Sequence, residues 1–314
     1  MNRRVLITAD IDNYIQHRFE ALGYFVDVKP EIEQSELLKV ISEYSVLIIT
    51  TYTKVDKELI DVASNLRIIG RVGSGMENVD VAYCKQKNIT CVNSPEGNGN
   101  AVGEHCLAML LNLLNNINKA NNELKNNLFL REENRGEELG GKTIGIIGYG
   151  HTGQAFVKKL RGFDVKILTY DKYKKADDDY VKNVSLEELK STSDVISFHV
   201  PYNEETHYYC DAAFLKKCTK HPIIINTSRG AIINTIDVLN GLETKNINGL
   251  CIDVFEDEPT TKNKIHTNET YQKLFSYNNV IATPHIAGWT HQSRYKLSKI
   301  LMDKIEIWLM VNGQ

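Results

Sequence analysis

The sequence predicts an α/β fold of two doubly wound parallel-sheet domains, and three observations carry that expectation. Short apolar, β-branched runs alternate with amphipathic stretches along the chain. A glycine-rich turn near the middle separates one such run from a helical pattern. Finally, 314 residues exceed what one hydrophobic core ordinarily serves.

In the first part, residues 5–8, 25–28, 46–49, 67–69 and 89–92 read as buried parallel strands. Residues 11–22, 35–42, 57–63 and 81–87 between them read as helices. The Pro/Gly/Asn cluster from Ser94 to Asn100 interrupts this alternation. A long helix is expected from Ala101, with Val102, Cys106, Met109, Leu110 and Leu113 on one side. Asn- and Glu-rich sequence then leads to Lys142, where a second series of strands begins at 143–147, 165–170, 195–199, 223–226, 249–252 and 280–282. An amphipathic helix is expected over 292–311, and the sequence holds no internal repeat.

Composition narrows the function. The chain is 42% apolar and 25% charged with a net charge of -3, so no broad basic field exists to hold nucleic acid. The apolar run over 106–114 is broken by Asn112, and the C-terminal one by Asp303, Lys304 and Glu306, so no membrane span is expected. The tract after Arg3 and Arg4 meets Asp10 too soon for a signal peptide. Six cysteines without a CxxC pair point to a reduced, cytoplasmic setting.

Thr143-Ile-Gly-Ile-Ile147 runs into Gly148-Tyr-Gly-His-Thr-Gly153 and then a helical pattern to Leu160. GxGxxG alone is a weak signal, but between a strand and a helix it predicts a dinucleotide site. Gly148 permits the tight turn, Gly150 lets the backbone approach a pyrophosphate, and Gly153 lets helix and strand pack closely. The helix start offers amides and a positive dipole end to the phosphates. Asp171, ending the next strand, suits the ribose hydroxyls of NAD and repels the extra phosphate of NADP. Like charges ~4 Å apart cost about 4 kcal/mol at an effective dielectric near 20. Lys172, Lys174 and Lys175 could soften that repulsion, yet NAD is the expected cofactor.

Three segments end later strands: Asn226-Thr-Ser-Arg-Gly230, Asp253-Val-Phe-Glu-Asp-Glu-Pro259 and Thr283-Pro-His-Ile-Ala-Gly288. They bring a guanidinium, carboxylates and an imidazole to the sheet edge where α/β folds bind ligands. Hydride transfer to a 2-keto acid needs those groups. Arginine clamps the carboxylate, histidine donates a proton to the carbonyl oxygen, and a carboxylate keeps the imidazolium charged.

With these residues the chain resembles the D-isomer-specific 2-hydroxyacid dehydrogenase family over nearly its whole length. The resemblance implies a Rossmann NAD-binding domain, residues 100–288, inserted into a flavodoxin-like substrate domain of residues 1–99 and 289–314. It makes Arg229 the substrate-binding arginine, Glu258 the carboxylate partner and His285 the acid/base. Asp253 is implied to orient the nicotinamide carboxamide, and His151 and Thr152 to flank the pyrophosphate. Thr227, Ser228, Arg229, His285 and Gly288 are implied beside the cofactor. The loop Gly73-Ser-Gly-Met-Glu-Asn-Val-Asp80 is similar to the family's carboxylate-binding loop, with Ser74 and Gly75 as donors; glycine-rich turns form such anion nests. Loss of the Glu258 carboxylate is expected to make reduction fade at lower pH.

The polar stretch 259–279, with Lys262, Lys264 and His266, is expected to enlarge a surface loop. Asn203 stands where the family often has threonine, and Trp289 either walls the pocket or packs internally. His105 has diverging neighbours, and His199 reads as structural at least as readily as a cofactor contact. No HExxH or Cys/His cluster predicts a metal. An NAD-responsive binding or regulatory protein with little turnover is the rival class; the intact Arg229, Glu258 and His285 set favours an enzyme.

The pattern resembles short 3-phosphoglycerate dehydrogenases lacking a regulatory domain, which implies 3-phosphoglycerate and phosphohydroxypyruvate as substrates. Hydroxypyruvate or glyoxylate reduction is the alternative. Arg71, Arg131 and Arg135 are the candidate phosphate partners. The resemblance implies a homodimer, and the helix after Ala101 is apolar enough to support a subunit interface.

Overall fold

The computed structural model describes residues 3–258 and 268–312. By its contacts the chain divides into two units, residues 1–98 with 289–314 and residues 99–288. In the first, β1 (Arg4–Ile7), α1 (Tyr14–Ala21), β2 (Phe25–Val28), α2 (Gln34–Val40) and β3 (Val46–Ile49) are followed by α3 (Lys57–Val62), β4 (Ile68–Arg71), α4 (Val81–Gln86) and β5 (Thr90–Asn93). The five strands are all parallel, in the flavodoxin-like order β2-β1-β3-β4-β5. Alternation divides its core. Val5, Ile7, Val46 and Ile48 face one side, Leu6, Leu47 and Ile49 the other. Side-chain oxygens of Asp56 and Asp80 start α3 and α4 by accepting from Leu59 and Tyr83 N–H.

The second unit opens with α5 (Gly99–Leu114) and α6 (Ile117–Lys125). There follow β6 (Thr143–Ile147), α7 (His151–Leu160), β7 (Lys166–Tyr170), β8 (Val181–Asn183), α8 (Leu186–Thr192) and β9 (Val195–Phe198). The chain continues through α9 (Ala212–Lys216), β10 (Ile223–Asn226), α10 (Thr235–Glu243), β11 (Gly249–Ile252), α11 (Glu269–Phe275) and β12 (Val280–Ala282). Its seven parallel strands lie in the order β12-β11-β10-β9-β6-β7-β8, the Rossmann arrangement with one further strand. The chain then returns to the first unit as α12 (His291–Val311), which packs Leu301, Met302, Ile305 and Leu309 into that unit's core.

Two sequence expectations change. β8, a three-residue edge strand, joins the sheet although only Val181 in it is buried. The apolar side of α5 is spent inside its own unit, where Val102, Cys106, Met109, Leu110 and Leu114 belong to the core. Leu107, Leu111 and Leu113 of the same helix pack against that core while only partly buried. The stretch 259–279 is more than loop, since α11 buries Tyr271 and Leu274 behind an Asn268 cap. Residues 259–267, with Lys262, Lys264 and His266, lie outside the described residues. Among the described residues no helix is long and apolar enough to cross a membrane, and no group of His, Cys, Asp or Glu is arranged to hold a metal.

Candidate active site

The glycine turn joins β6 to α7. Gly148 has a φ of +94°, and a Cβ there would stand 2.4 Å from the His199 carbonyl oxygen, so glycine is required. A Cβ on Gly153 would meet the Gly148 carbonyl oxygen at 2.2 Å, which is the close helix packing the motif implies. Gly150 is different. It is exposed, and a Cβ there would touch nothing within 4 Å. Side chains cap α8, α9, α10 and α11, whereas α7 starts at Gly150 without one. Exposed His151 and half-buried Thr152 form its first turn. Uncapped amides with open room above Gly150 fit the pyrophosphate of a dinucleotide.

Asp171 ends next to this turn. Its Oδ2 accepts the Tyr149 N–H at 2.7 Å, and Oδ1 accepts those of Tyr173 and Lys174 at 2.8 and 3.0 Å. A carboxylate has about four acceptor positions, so capacity for a ribose hydroxyl remains. Two of the nearby lysines are engaged elsewhere. Lys172 Nζ donates to both Glu205 oxygens at 2.7 Å, and Lys174 lies over the Tyr149 ring. The negative character of Asp171 is thus kept, which fits NAD.

The three strand-end segments singled out in the sequence converge within the second unit. A Cβ on Gly230 would lie 2.0 Å from the Phe255 carbonyl, so glycine lets the loops after β10 and β11 touch. Asn226, fully buried, folds the first loop by donating to the Arg229 carbonyl at 2.9 Å and accepting the Ser228 N–H at 3.1 Å. Ser228 Oγ donates to the Phe198 carbonyl at 2.7 Å, and the Thr227 hydroxyl meets Cys106 Sγ at 3.3 Å. Arg229 is half-buried, with Nη1 donating to the Ser228 carbonyl at 2.7 Å.

Glu258 Oε2 lies 2.6 Å from His285 Nδ1, and Oε1 accepts the Phe255 N–H at 3.0 Å. Burial works to raise the Glu258 carboxyl, but the His285 hydrogen bond and charge, the Phe255 N–H and Arg229 together hold it below the usual glutamate value. The His285 side chain is 47% exposed, so the imidazole is both paired and reachable. Its backbone is left-handed, with a φ of +55°, and its N–H donates to the Asp253 carbonyl at 2.7 Å.

The resemblance implies that Asp253 orients the carboxamide. The structure shows a fully buried carboxylate whose Oδ1 accepts from Ile286 N–H at 2.9 Å and whose Oδ2 accepts from Ala287 N–H at 2.8 Å. Thr283 Oγ1 also donates to Oδ1, and His105 Nε2 bonds that hydroxyl at 2.9 Å. Asp253 therefore gathers the backbone around His285, and His105 on α5 buttresses it. Neither role has a local sequence signal, because the partners lie on other elements. His199 is structural in character: buried, bonded to Ser197 Oγ at 2.9 Å, and held neutral as burial pushes its pKa down to about 3. Gly288 follows this loop as the last residue of the unit.

In the first unit the 73–75 turn is fastened by β5. Gly73 N–H donates to Ser94 Oγ at 3.2 Å, Asn93 Nδ2 to the Ser74 carbonyl at 2.6 Å, and Ser74 Oγ to Asn98 Oδ1 at 3.1 Å. Gly75 is half-buried in the same turn. Arg71, 8% exposed, packs its guanidinium on Gly73 and donates to Thr51 Oγ1 at 3.1 Å. Arg131 and Arg135 are exposed on the second unit, and Arg135 pairs with Glu132 at 2.6 Å. Trp289 is largely exposed.

The model for the D-isomer specific 2-hydroxyacid dehydrogenase NAD-binding domain matches residues 107–287. A hydroxypyruvate reductase of Thermotoga maritima is 35% identical over 87% of this chain and 88% of its own. A D-3-phosphoglycerate dehydrogenase of Archaeoglobus fulgidus is 30% identical over 96% of this chain, which spans 56% of that protein. The crystal structure of Aquifex aeolicus D-lactate dehydrogenase, complexed with NAD and lactic acid, is similar with a TM-score of 0.84. It is 27% identical and covers 99% of this chain and 96% of its own.

Proposed function

The chain belongs to the D-isomer specific 2-hydroxyacid dehydrogenase family of NAD-dependent oxidoreductases, and from that premise we propose that it reduces hydroxypyruvate or a 2-keto acid of similar size. The observation carrying the chemistry is the 2.6 Å contact between His285 Nδ1 and Glu258 Oε2, beside a half-buried Arg229. Bound NADH supplies the hydride that C2 of the keto acid receives. Arg229 clamps the substrate carboxylate and polarises its carbonyl. Because Nδ1 is committed to Glu258, Nε2 of His285 is the nitrogen that protonates the carbonyl oxygen, and in oxidation it takes the proton back. Asp253 keeps the His285 loop in shape, while Thr227, Ser228 and Gly288 frame the nicotinamide side.

Support for hydroxypyruvate comes from the nearly full-length likeness to the Thermotoga reductase, and from the surface position of Arg131 and Arg135. Phosphohydroxypyruvate, favoured by the sequence pattern, is the second reading; the buried guanidinium of Arg71 against the 73–75 turn supports it. Initial rates of NADH oxidation with hydroxypyruvate, glyoxylate and phosphohydroxypyruvate decide between them. A higher kcat/KM for the phosphorylated acid would overturn the first reading.

A homodimer is part of the proposal, with α5 and the residues after it at its interface. Ile117, Leu124, Leu128 and Phe129 there are exposed apolar side chains, the kind of patch that marks an interface. Sedimentation equilibrium tests it. Six free thiols support a reducing compartment such as the cytoplasm.

A further inference from the structure

We propose that Cys84 and Cys91 are a reversible thiol–disulfide pair, oxidised by a hydroperoxide that reaches Cys91 from the surface. This goes beyond the dehydrogenase reading and does not depend on it. Cys91 lies on β5, the edge strand of the five-stranded sheet. Strand register places it at the end of a row running Leu6, Leu47, Ile69, Cys91 across one face. The first three positions are fully buried hydrocarbon, and the edge position is a thiol instead.

The second thiol stands on the same face. Cys84 of α4 is fully buried in the cluster that also contains Leu6, Leu47 and Ile69, and Cys91 packs against that cluster. The Ile89 N–H donates to the Cys84 carbonyl at 2.9 Å, which folds the turn back and sets β5 beside α4. The two thiols are thereby neighbours on that face.

Access separates Cys91 from every other cysteine of the chain. It lines an open hollow of about 390 Å³ with Val81, Lys85, Asn88, Ile89 and Thr90. The other five cysteines are buried. The neighbouring Cys91 and burial push the Cys84 thiol up. The reachable sulfur is therefore the one a peroxide meets first, with the buried Cys84 behind it as the resolving thiol.

The steps balance. The Cys91 thiolate attacks one peroxide oxygen; an S–O bond forms, the O–O bond breaks, and the leaving alkoxide or hydroxide takes a proton from water. The Cys84 sulfur then attacks the Cys91 sulfenic sulfur. An S–S bond forms, the S–O bond breaks, and the departing hydroxide takes the Cys84 proton to leave as water. Two electrons pass from the two thiols to the peroxide, and a dithiol reductant reverses the change.

The test uses the full chain, reduced, freed of reductant, treated with a few equivalents of hydrogen peroxide and then alkylated with a maleimide. Peptide mass mapping should find the Cys84 and Cys91 peptides joined with the loss of two hydrogens, and separate again after dithiothreitol. In Cys84→Ser, which lacks the resolving thiol, dimedone should trap a sulfenic acid at Cys91. A wild-type map with Cys91 fully alkylated after peroxide overturns the pair. That map decides alone should Cys84→Ser fail to fold.

Discussion

Both units wind a parallel sheet outward from their first strand, yet the turns leaving those strands are built in opposite ways. β1 leads into Thr8, Ala9 and Asp10, where side chains close the turn: the Thr8 hydroxyl bonds that of Thr53 at 2.7 Å, and Asp10 pairs with Arg294 at 2.7 Å. β6 leads into Gly148, and from there to Gly153 the backbone is kept bare at the helix start. The winding supplies a ligand-binding edge in both cases, and the first few residues of the turn decide whether a phosphate can use it.

The sharpest test separates turnover from cofactor binding within the second unit. His285→Asn should lower kcat by roughly 10²–10⁴-fold, as removal of an acid/base group does, while NADH titrated by fluorescence still binds. Loss of both together would mean that the imidazole loop and the glycine turn are not separable parts. Next in size is Gly150→Ala. Its Cβ meets no protein atom, so the melting temperature should hold, whereas NADH affinity should drop about tenfold, or roughly 1.4 kcal/mol. Ala9→Gly, the reciprocal change in the first unit, should leave NADH affinity alone; an effect there would break the contrast between the two turns.

Glu258→Gln acts through His285. The native carboxylate is held below the usual glutamate value, so it stays ionised through the neutral range and the pair is lost only as pH falls through that lowered value. Reduction needs the protonated imidazole. Without the carboxylate the alkaline limb of the reduction profile should shift to lower pH, and the onset of oxidation should shift with it. Profiles that superimpose on wild type would rule the pairing out as a catalytic device. The smallest effect is expected at Glu205→Gln, which frees Lys172 beside Asp171. The NADPH to NADH ratio of kcat/KM should rise by at most about fivefold, because exposed ion pairs are worth about 1 kcal/mol or less.

Much of this site was legible before any coordinates. Gly148, Gly150 and Gly153 are dictated by close approaches and open space that a short local pattern records, and strands such as β6 and β10 are continuous apolar runs. Arg229, Glu258 and His285 lie in segments that end readable strands, and within those segments the family resemblance picks them out. β8 could not be read, since an edge strand with one buried residue has almost no apolar signature. The fate of the α5 stripe was equally hidden. An apolar helix face reads the same whether it meets its own sheet or a second chain, and here one side meets the core while Leu107, Leu111 and Leu113 stay partly exposed. Asp253 is the instructive case: its position was visible, but its work as the acceptor for Ile286 and Ala287 depends on a segment far along the chain.

The left-handed backbone at His285 limits which replacements can be interpreted. Asparagine visits that region readily, whereas valine or isoleucine there would strain the loop before any chemistry is tested. A saturation library at position 285 should thus sort first by foldability, with asparagine and glycine soluble but inert and β-branched variants poorly expressed. Read without that filter, such a library would mistake a conformational demand for a catalytic one.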